Sequence, residues 1–302
     1  MRLQLTSVVL ISAFAVSSAS ATVIFSDNFD NTTNGDGAAV TVSALSAQVG
    51  AWDPASTGAG INDHDDFGEI AGNAAGLAST DNAILIDTGL DNNGSDPLGV
   101  ANNTNTILQG NFTQGFDTTN TSGEQLVFSW LWYSTRVTGN LNNNQRNMRI
   151  ALSAGGTREI VIALELHNGT VNDIVWRDGN DDFDDNILYT MERPTAARSD
   201  GDYSDDNAAF MRLIVDSADG SVSIDIDDGN DGSFEVTGAV VGYNDASLTK
   251  DVVLDNFELF LGGANNGTKG AFFDDFNAEI IPEPSSLALM GLGALALLRR
   301  RR

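Results

Sequence analysis

Residues 125–137 alternate in character: Leu126, Phe128, Trp130 and Trp132 fall on one parity, Ser129 and Tyr133 on the other. An extended backbone turns successive side chains to opposite faces, whereas a helix returns its apolar stripe every 3.6 residues. A period of two held over this length therefore specifies a half-buried β-strand. It predicts Phe128 and Trp130 inside a core. A strand cannot bury one face alone, so the chain must supply partners.

It supplies many. Ile160, Ile162, Leu164 and Leu166 alternate with Glu159, Val161, Ala163 and Glu165. Val222, Ile224 and Ile226 alternate with Ser221, Ser223, Asp225 and Asp227. Shorter candidate strands cover residues 23–29, 38–49, 148–153, 171–176, 208–216, 233–241, 252–261 and 271–281. Turn chemistry separates them at 154–156, 167–170, 217–220 and 228–232, where Gly, Asn and Asp supply tight-turn conformations. No amphipathic helical period competes. Strands with turn signals this frequent predict an all-β fold, an antiparallel β-sandwich of jelly-roll type. Residues 50–105 read differently, because Gly, Ala, Asn and Asp dominate and only 83–87 is strand-like. They are expected to be long surface loops decorating one end of the sandwich.

Both termini carry processing signals. Arg2 gives a positive start, residues 3–16 are mostly apolar, and Ala19-Ser20-Ala21 forms a small-x-small cleavage site before Thr22. This is the pattern of a secretory signal peptide, too short and wrongly flanked for a stable span. At the other end stand Pro282, Glu283 and Pro284, then an apolar run over 287–298, then Arg299, Arg300, Arg301 and Arg302. The prolines prevent a helix from crossing this point. The terminal arginines resist translocation. The apolar run is 12 residues long, against about 20 for a spanning helix.

Ile281, the Pro-Glu-Pro string, the short apolar stretch and the arginine cluster resemble the PEP-CTERM sorting signal of Gram-negative bacteria. The resemblance implies recognition and processing by an exosortase, a membrane-embedded transpeptidase-like enzyme. It also implies a transient inner-membrane anchor, then delivery to the cell surface or extracellular matrix beside exopolysaccharide. The expected organisation is a signal peptide over 1–21, one β-sandwich domain over 22–280, and a sorting and anchor segment over 281–302 that ends in a short hydrophobic helix.

Charge narrows the partners. Arg2 and the four terminal arginines are five of the 15 basic residues, so the mature domain sets ten against 42 acidic ones, or 41 without Glu283. Its charge is therefore −32 to −31. Such a field repels nucleic acid and anionic lipid, and favours divalent cations, basic surfaces or neutral glycans. The chain has no cysteine, so burial must supply what disulfides give other exported domains.

Three acidic clusters could carry chemistry. Asp225, Asp227, Asp228, Asn230, Asp231 and Glu235 crowd oxygen donors around one turn, and Ca²⁺ takes such ligands. The helix-loop-helix calcium pattern is not met, since Gly229 and Gly238 occupy positions where acidic ligands belong. The competing reading is a hydrated Asn/Asp/Gly hairpin. Asp178-Gly179-Asn180-Asp181-Asp182, with Asp184 and Asp185, repeats the string. Asn62-Asp63-His64-Asp65-Asp66 with Glu69 holds one of two histidines; the other is His167. Glu165 and His167 share a strand parity. Without a cysteine, and with so little histidine, thiol and Ser-His-Asp catalysis have no basis.

The segment from Phe25 to Asp30, Phe-Ser-Asp-Asn-Phe-Asp, opens the mature chain and Phe272-Phe273-Asp274-Asp275-Phe276 closes it. Leu254-Asp255-Asn256-Phe257 is a third copy. The likeness suggests that first and last strands lie side by side. Together with residues 211–216, the Asp-Gly turn and residues 221–227, this resembles the concanavalin A-like/laminin-G-like jelly-roll superfamily. The resemblance implies a fold and no particular activity. Glycanases of that class carry Glu-x-Asp-x-x-Glu, and no such string occurs here. The expected protein is a non-enzymatic surface or matrix component with a structural or adhesive role, contacting exopolysaccharide. The alternatives are a lectin-like carbohydrate-binding module and a glycan-active hydrolase or lyase.

Overall fold

The computed structural model describes residues 20–29, 45–53, 59–62, 83–87, 106–138, 145–167, 171–177, 186–192, 209–245, 247–261 and 268–282. Among them the chain forms 15 strands and no helix. They are β1 (Thr22–Asp27), β2 (Ala51–Trp52), β3 (Ala59–Asn62), β4 (Ala83–Asp87), β5 (Thr106–Asp117), β6 (Glu124–Thr138), β7 (Gln145–Ala154) and β8 (Thr157–His167). Then follow β9 (Val171–Trp176), β10 (Ile187–Glu192), β11 (Ala209–Asp216), β12 (Val222–Asp228), β13 (Val236–Val241), β14 (Val253–Leu261) and β15 (Thr268–Pro282).

Two antiparallel sheets result. The eight-stranded sheet runs β13-β12-β11-β6-β15-β4-β3, with β1 also on β15. The seven-stranded sheet runs β10-β9-β8-β7-β14-β5-β2. Consecutive strands cross repeatedly from one sheet to the other, the interleaving a jelly roll requires. The expected all-β sandwich is what forms, and Phe128 and Trp130 are both fully buried in it.

The first and last strands do meet. β1 pairs with β15 from Thr22↔Ile280 to Asp27↔Phe276. The Phe-Asp copies explain why this works. Phe273 and Phe276 are an odd number of residues apart, yet both point inward. A bulge between Asp274 and Asn277, with Asp275 at φ 50°, absorbs the extra residue. Phe25, Phe257 and Phe276, one from each copy, then join a single aromatic cluster. Ring centroids lie 4.8 Å apart for Phe25–Phe257 and 5.1 Å for Phe257–Phe276. Trp52, from the same seven-stranded sheet as Phe257, lies 5.2 Å from Phe25 and 5.5 Å from Phe257. Such edge-on and offset contacts add to simple area burial.

Some strands depart from the sequence pattern. β5 and β10 form where alternation gave none, and β2 and β3 form inside the stretch expected to be loops. β5 is masked by glycines that its neighbours demand: a Cβ at Gly110 would overlap the Phe257 ring. On β8 the alternation is incomplete. Ile160, Ile162 and Leu164 face the core, but Val161 and Ala163 are equally buried on the other side, with Ala151 and Val175. Small apolar residues on both parities let a sheet be covered on both faces. The strand expected over 38–49 falls largely outside the described residues; its end makes one bridge, Val49 to Ser26. The turn over 168–170 lies outside them too.

The register fixes two ends. Pro282 faces Glu124, Asp216 faces Gln125, Val222 faces Val241, Val253 faces Asp117 and Asn256 faces Ser153. Thr22, Pro282, the segments 117–124 and 242–252, and the hairpins at 154–157 and 217–221 therefore share one end of the sandwich. The hairpin over 229–235 lies at the other. The first end is pinned by polar contacts. The Tyr243 hydroxyl donates to the Gly220 carbonyl at 2.9 Å, and Thr118 Oγ1 donates to the Lys250 carbonyl at 2.5 Å. Lys250 Nζ lies 2.5 Å from the buried Glu159 carboxylate, which raises the lysine pKa.

Candidate functional site

The outer face of the eight-stranded sheet carries one continuous polar row. Arg212 sits opposite both Asp225 and Ser129, Ser129 opposite Asn277, and Asn277 opposite Ser26. Residues opposite one another in a sheet share a face. Ser129 lies on the parity opposite to the core residues Phe128 and Trp130, so this face points outward. The row crosses five strands, about 19 Å at the usual strand spacing.

Arg212 is the fixed point of the row. Its Nε and Nη2 donate to Asp225 Oδ2 at 2.9 and 2.6 Å, and its guanidinium lies 5.0 Å over the Phe234 ring. Asp225 Oδ1 accepts the Gly238 amide at 2.7 Å. Phe210 meets Phe234 edge-on at 6.1 Å. A guanidinium held by a carboxylate and a ring keeps its remaining donors in a set direction.

At its other end the row opens into a shallow pocket of about 410 Å³, lined by Ser26, Asp27, Asn28, Gln48, Asp275, Phe276 and Asn277. Across it the Asn28 backbone amide donates to Gln48 Oε1 at 3.2 Å, and Gln48 Nε2 donates to Asn28 Oδ1. Asp27 is buried beneath. Its Oδ2 accepts the Trp52 indole at 2.6 Å, and its Oδ1 accepts the Phe29 amide at 2.9 Å. That second bond is an Asx turn, which holds Phe29 at φ 55° while its ring enters the aromatic cluster. Asp275 N donates to Asp274 Oδ1 at 2.7 Å. The pocket thus offers amide, hydroxyl and carboxylate groups over the buried Phe276 ring.

The cluster at residues 225–235 divides its oxygens. Asp225 turns to Arg212. Asp227 accepts the Asp231 and Gly232 amides at 3.1 and 2.8 Å, Glu235 accepts the Asp228 amide at 2.7 Å, and Asp231 accepts the Ser233 amide at 2.8 Å. Asn230 adopts φ 50° at the turn. Among the described residues no group of three acidic or histidine side chains converges on one point. The string at 178–185 and residues 63–69, with His64, lie outside the described residues. Asn62 ends β3; the side chains of Glu165 and His167 on β8 are likewise outside them.

Of the processing residues, Ala21 and Thr22 are exposed, and Thr22 opens β1. Ile281 and Pro282 belong to β15, paired with Gln125 and Glu124. Ala19, Glu283, Pro284 and the arginines from Arg299 to Arg302 lie outside the described residues. The polar row and pocket were not legible in the sequence. Ser26, Gln48, Ser129, Arg212 and Asn277 are scattered over some 250 positions and single polar residues carry no motif. The only available signal was the outward parity of Ser129 beside Phe128 and Trp130.

Residues 281–302 match the PEP-CTERM protein-sorting motif. The motif marks an exported protein sorted by an exosortase through a membrane-anchored intermediate. No curated protein matches the sequence significantly. Similar solved structures include the botulinum neurotoxin serotype G binding domain, at 10% identity and TM-score 0.39, over 76% of this chain and 43% of that one. This chain therefore spans less than half the length of that domain. Arcelin-5, a lectin-like defense protein from Phaseolus vulgaris, is 8% identical with TM-score 0.37, over 66% of this chain and 86% of its own. An alginate lyase from polysaccharide lyase family 7 is 10% identical with TM-score 0.35, over 66% and 78%. Likeness at this level says nothing of ligand or activity. The sandwich class rests on the two sheets themselves.

Proposed function

We propose that this is a non-catalytic surface or matrix protein whose sandwich contacts neutral exopolysaccharide through the outer face of its eight-stranded sheet. The observation that carries the reading is the polar row ending in the pocket at Ser26, Gln48 and Asn277. It supplies directional donors and acceptors in an open groove, which suits a chain of hydroxyls better than a compact anion. The charge of the mature domain favours a neutral glycan over an acidic one. The pocket also supports the lectin-like alternative, a site for one sugar unit rather than a long contact.

A glycan array with the protein, with and without Ca²⁺, tests the reading. Retention of neutral glycans is expected, weakened about tenfold by Asn277→Ala or Gln48→Ala if each removes a ligand hydrogen bond. Preference for one terminal sugar would select the lectin-like alternative. Absence of retention, or retention indifferent to both substitutions, would sink the assignment of this face. Release of reducing ends on incubation would overturn its non-catalytic character.

A further inference from the structure

The two processed ends of the chain leave the fold at one place. Thr22 is the pairing partner of Ile280, one residue before the sorting motif begins at residue 281. Partners across an antiparallel pair lie about 5 Å apart. β15 stays strand-paired to β6 through Pro282↔Glu124, so the motif starts inside the sheet with no spacer. Only four residues, 283–286, separate Pro282 from the apolar run at Leu287. They reach at most about 14 Å at full extension. On the other side five residues, 17–21, separate Val16 from Thr22. They reach about 18 Å.

We infer that, while its apolar ends are in the membrane, the sandwich stands on end. The loops at 117–124, 217–221 and 242–252 face the lipid, and the hairpin at 229–235 points away. The inference rests on the sorting reading. The opposite hairpin is at least the length of β12 from the tethered end, seven residues or about 23 Å. The short tethers hold only the near end at the surface, and the mature domain's charge of −32 to −31 repels its broad faces from anionic lipid, so the far hairpin stands away.

Adhesion is not what holds it there. Val23, Leu248 and Val253 are exposed at this end, 39%, 57% and 51%. Asp117, Asp219 and Asp251 are interspersed with them and repel anionic lipid over a Debye length of about 8–10 Å. The tether sets the distance, and the orientation leaves the polar row, which crosses the strands at mid-height on a broad face, clear of the membrane.

The chain has no cysteine, so a single introduced one gives a unique label. Ala218 is exposed at the tethered end and Ser233 at the far end. Fluorophores on Ala218→Cys and Ser233→Cys of the full chain are compared in phosphatidylethanolamine/phosphatidylglycerol vesicles containing headgroup spin-labelled lipid. Quenching several-fold stronger at position 218 than at 233 is expected. Gly/Ser insertions of about 20 residues after Ala21 and after Pro284, each adding roughly 25 Å of mean reach, should abolish the difference. Co-flotation with the vesicles reads insertion of the ends independently. Flotation with equal quenching at the two positions would overturn the orientation and leave the sorting reading standing. Loss of flotation would overturn both.

Discussion

Tyr243 shows how one side chain ties the pH response to the architecture. It is fully buried, and burial pushes its phenol up to about 12. An unfolded tyrosine titrates near 10. Its folded pKa is the higher one, so its contribution to stability is complete below pH 10 and is lost as pH rises toward 12. The loss is on the order of 2–3 kcal/mol. Lys250 adds in the same direction, because Glu159 raises its pKa and the pair dissolves once the ammonium is lost. Urea midpoints of the wild type should therefore fall steeply above pH 10. Tyr243→Phe should lose about 1 kcal/mol at pH 7, from the missing bond to the Gly220 carbonyl, and then fall less steeply. An equal fall in both proteins above pH 10 would remove Tyr243 from the account.

The hairpin joining β12 and β13 separates turn chemistry from cation binding. Asp227 is buried and accepts two loop amides, whereas Asp231 accepts one on the exposed side. Asp227→Ala should cost about 1–3 kcal/mol and Asp231→Ala less than 1 kcal/mol, read by thermal unfolding. Each oxygen engaged by the protein is withdrawn from Ca²⁺. Midpoints should rise equally with Ca²⁺ and Mg²⁺ at matched ionic strength. A Ca²⁺-specific rise that Asp227→Ala abolishes would instead establish the loop as a calcium site. At this scale the sequence was legible where pattern and burial agree: β11 alternates cleanly, β6 and β12 keep their core parity although Leu131, Asp225 and Asp227 are buried on the other, and the Phe-Asp copies announced the β1–β15 pair. β5 was illegible because Gly110 and Gly115 are dictated by Phe257 and Val253 from the neighbouring strand, and no local pattern contains that neighbour. The pocket failed to show for the same reason: β1, β15 and the segment around Gln48 meet only after folding.

At the scale of the molecule, the fold bounds where its own processing can fall. Thr22 and Val23 are exposed, but Ile24 and Phe25 are completely buried. A cut after Ala21 leaves β1 whole. A cut after Phe25 would remove two core side chains worth about 1.5–3 kcal/mol each, a large share of a typical total of 5–15 kcal/mol. At the other end, Ala278 and Ile280 are buried in a strand flanked by β6 and β1. An enzyme that must seat an extended substrate cannot reach them without opening the centre of the sheet. The accessible window therefore begins no earlier than after Pro282, the last paired residue among those described. The surface form should start at Thr22, end beyond residue 282 and lack the arginines from Arg299 to Arg302, as read by intact-mass and terminal-peptide spectrometry. An N-terminus within residues 24–29 or a C-terminus within 268–281 would mean that processing precedes folding. Recovery of the arginines from the matrix would mean that the tail is a plain anchor that survives export.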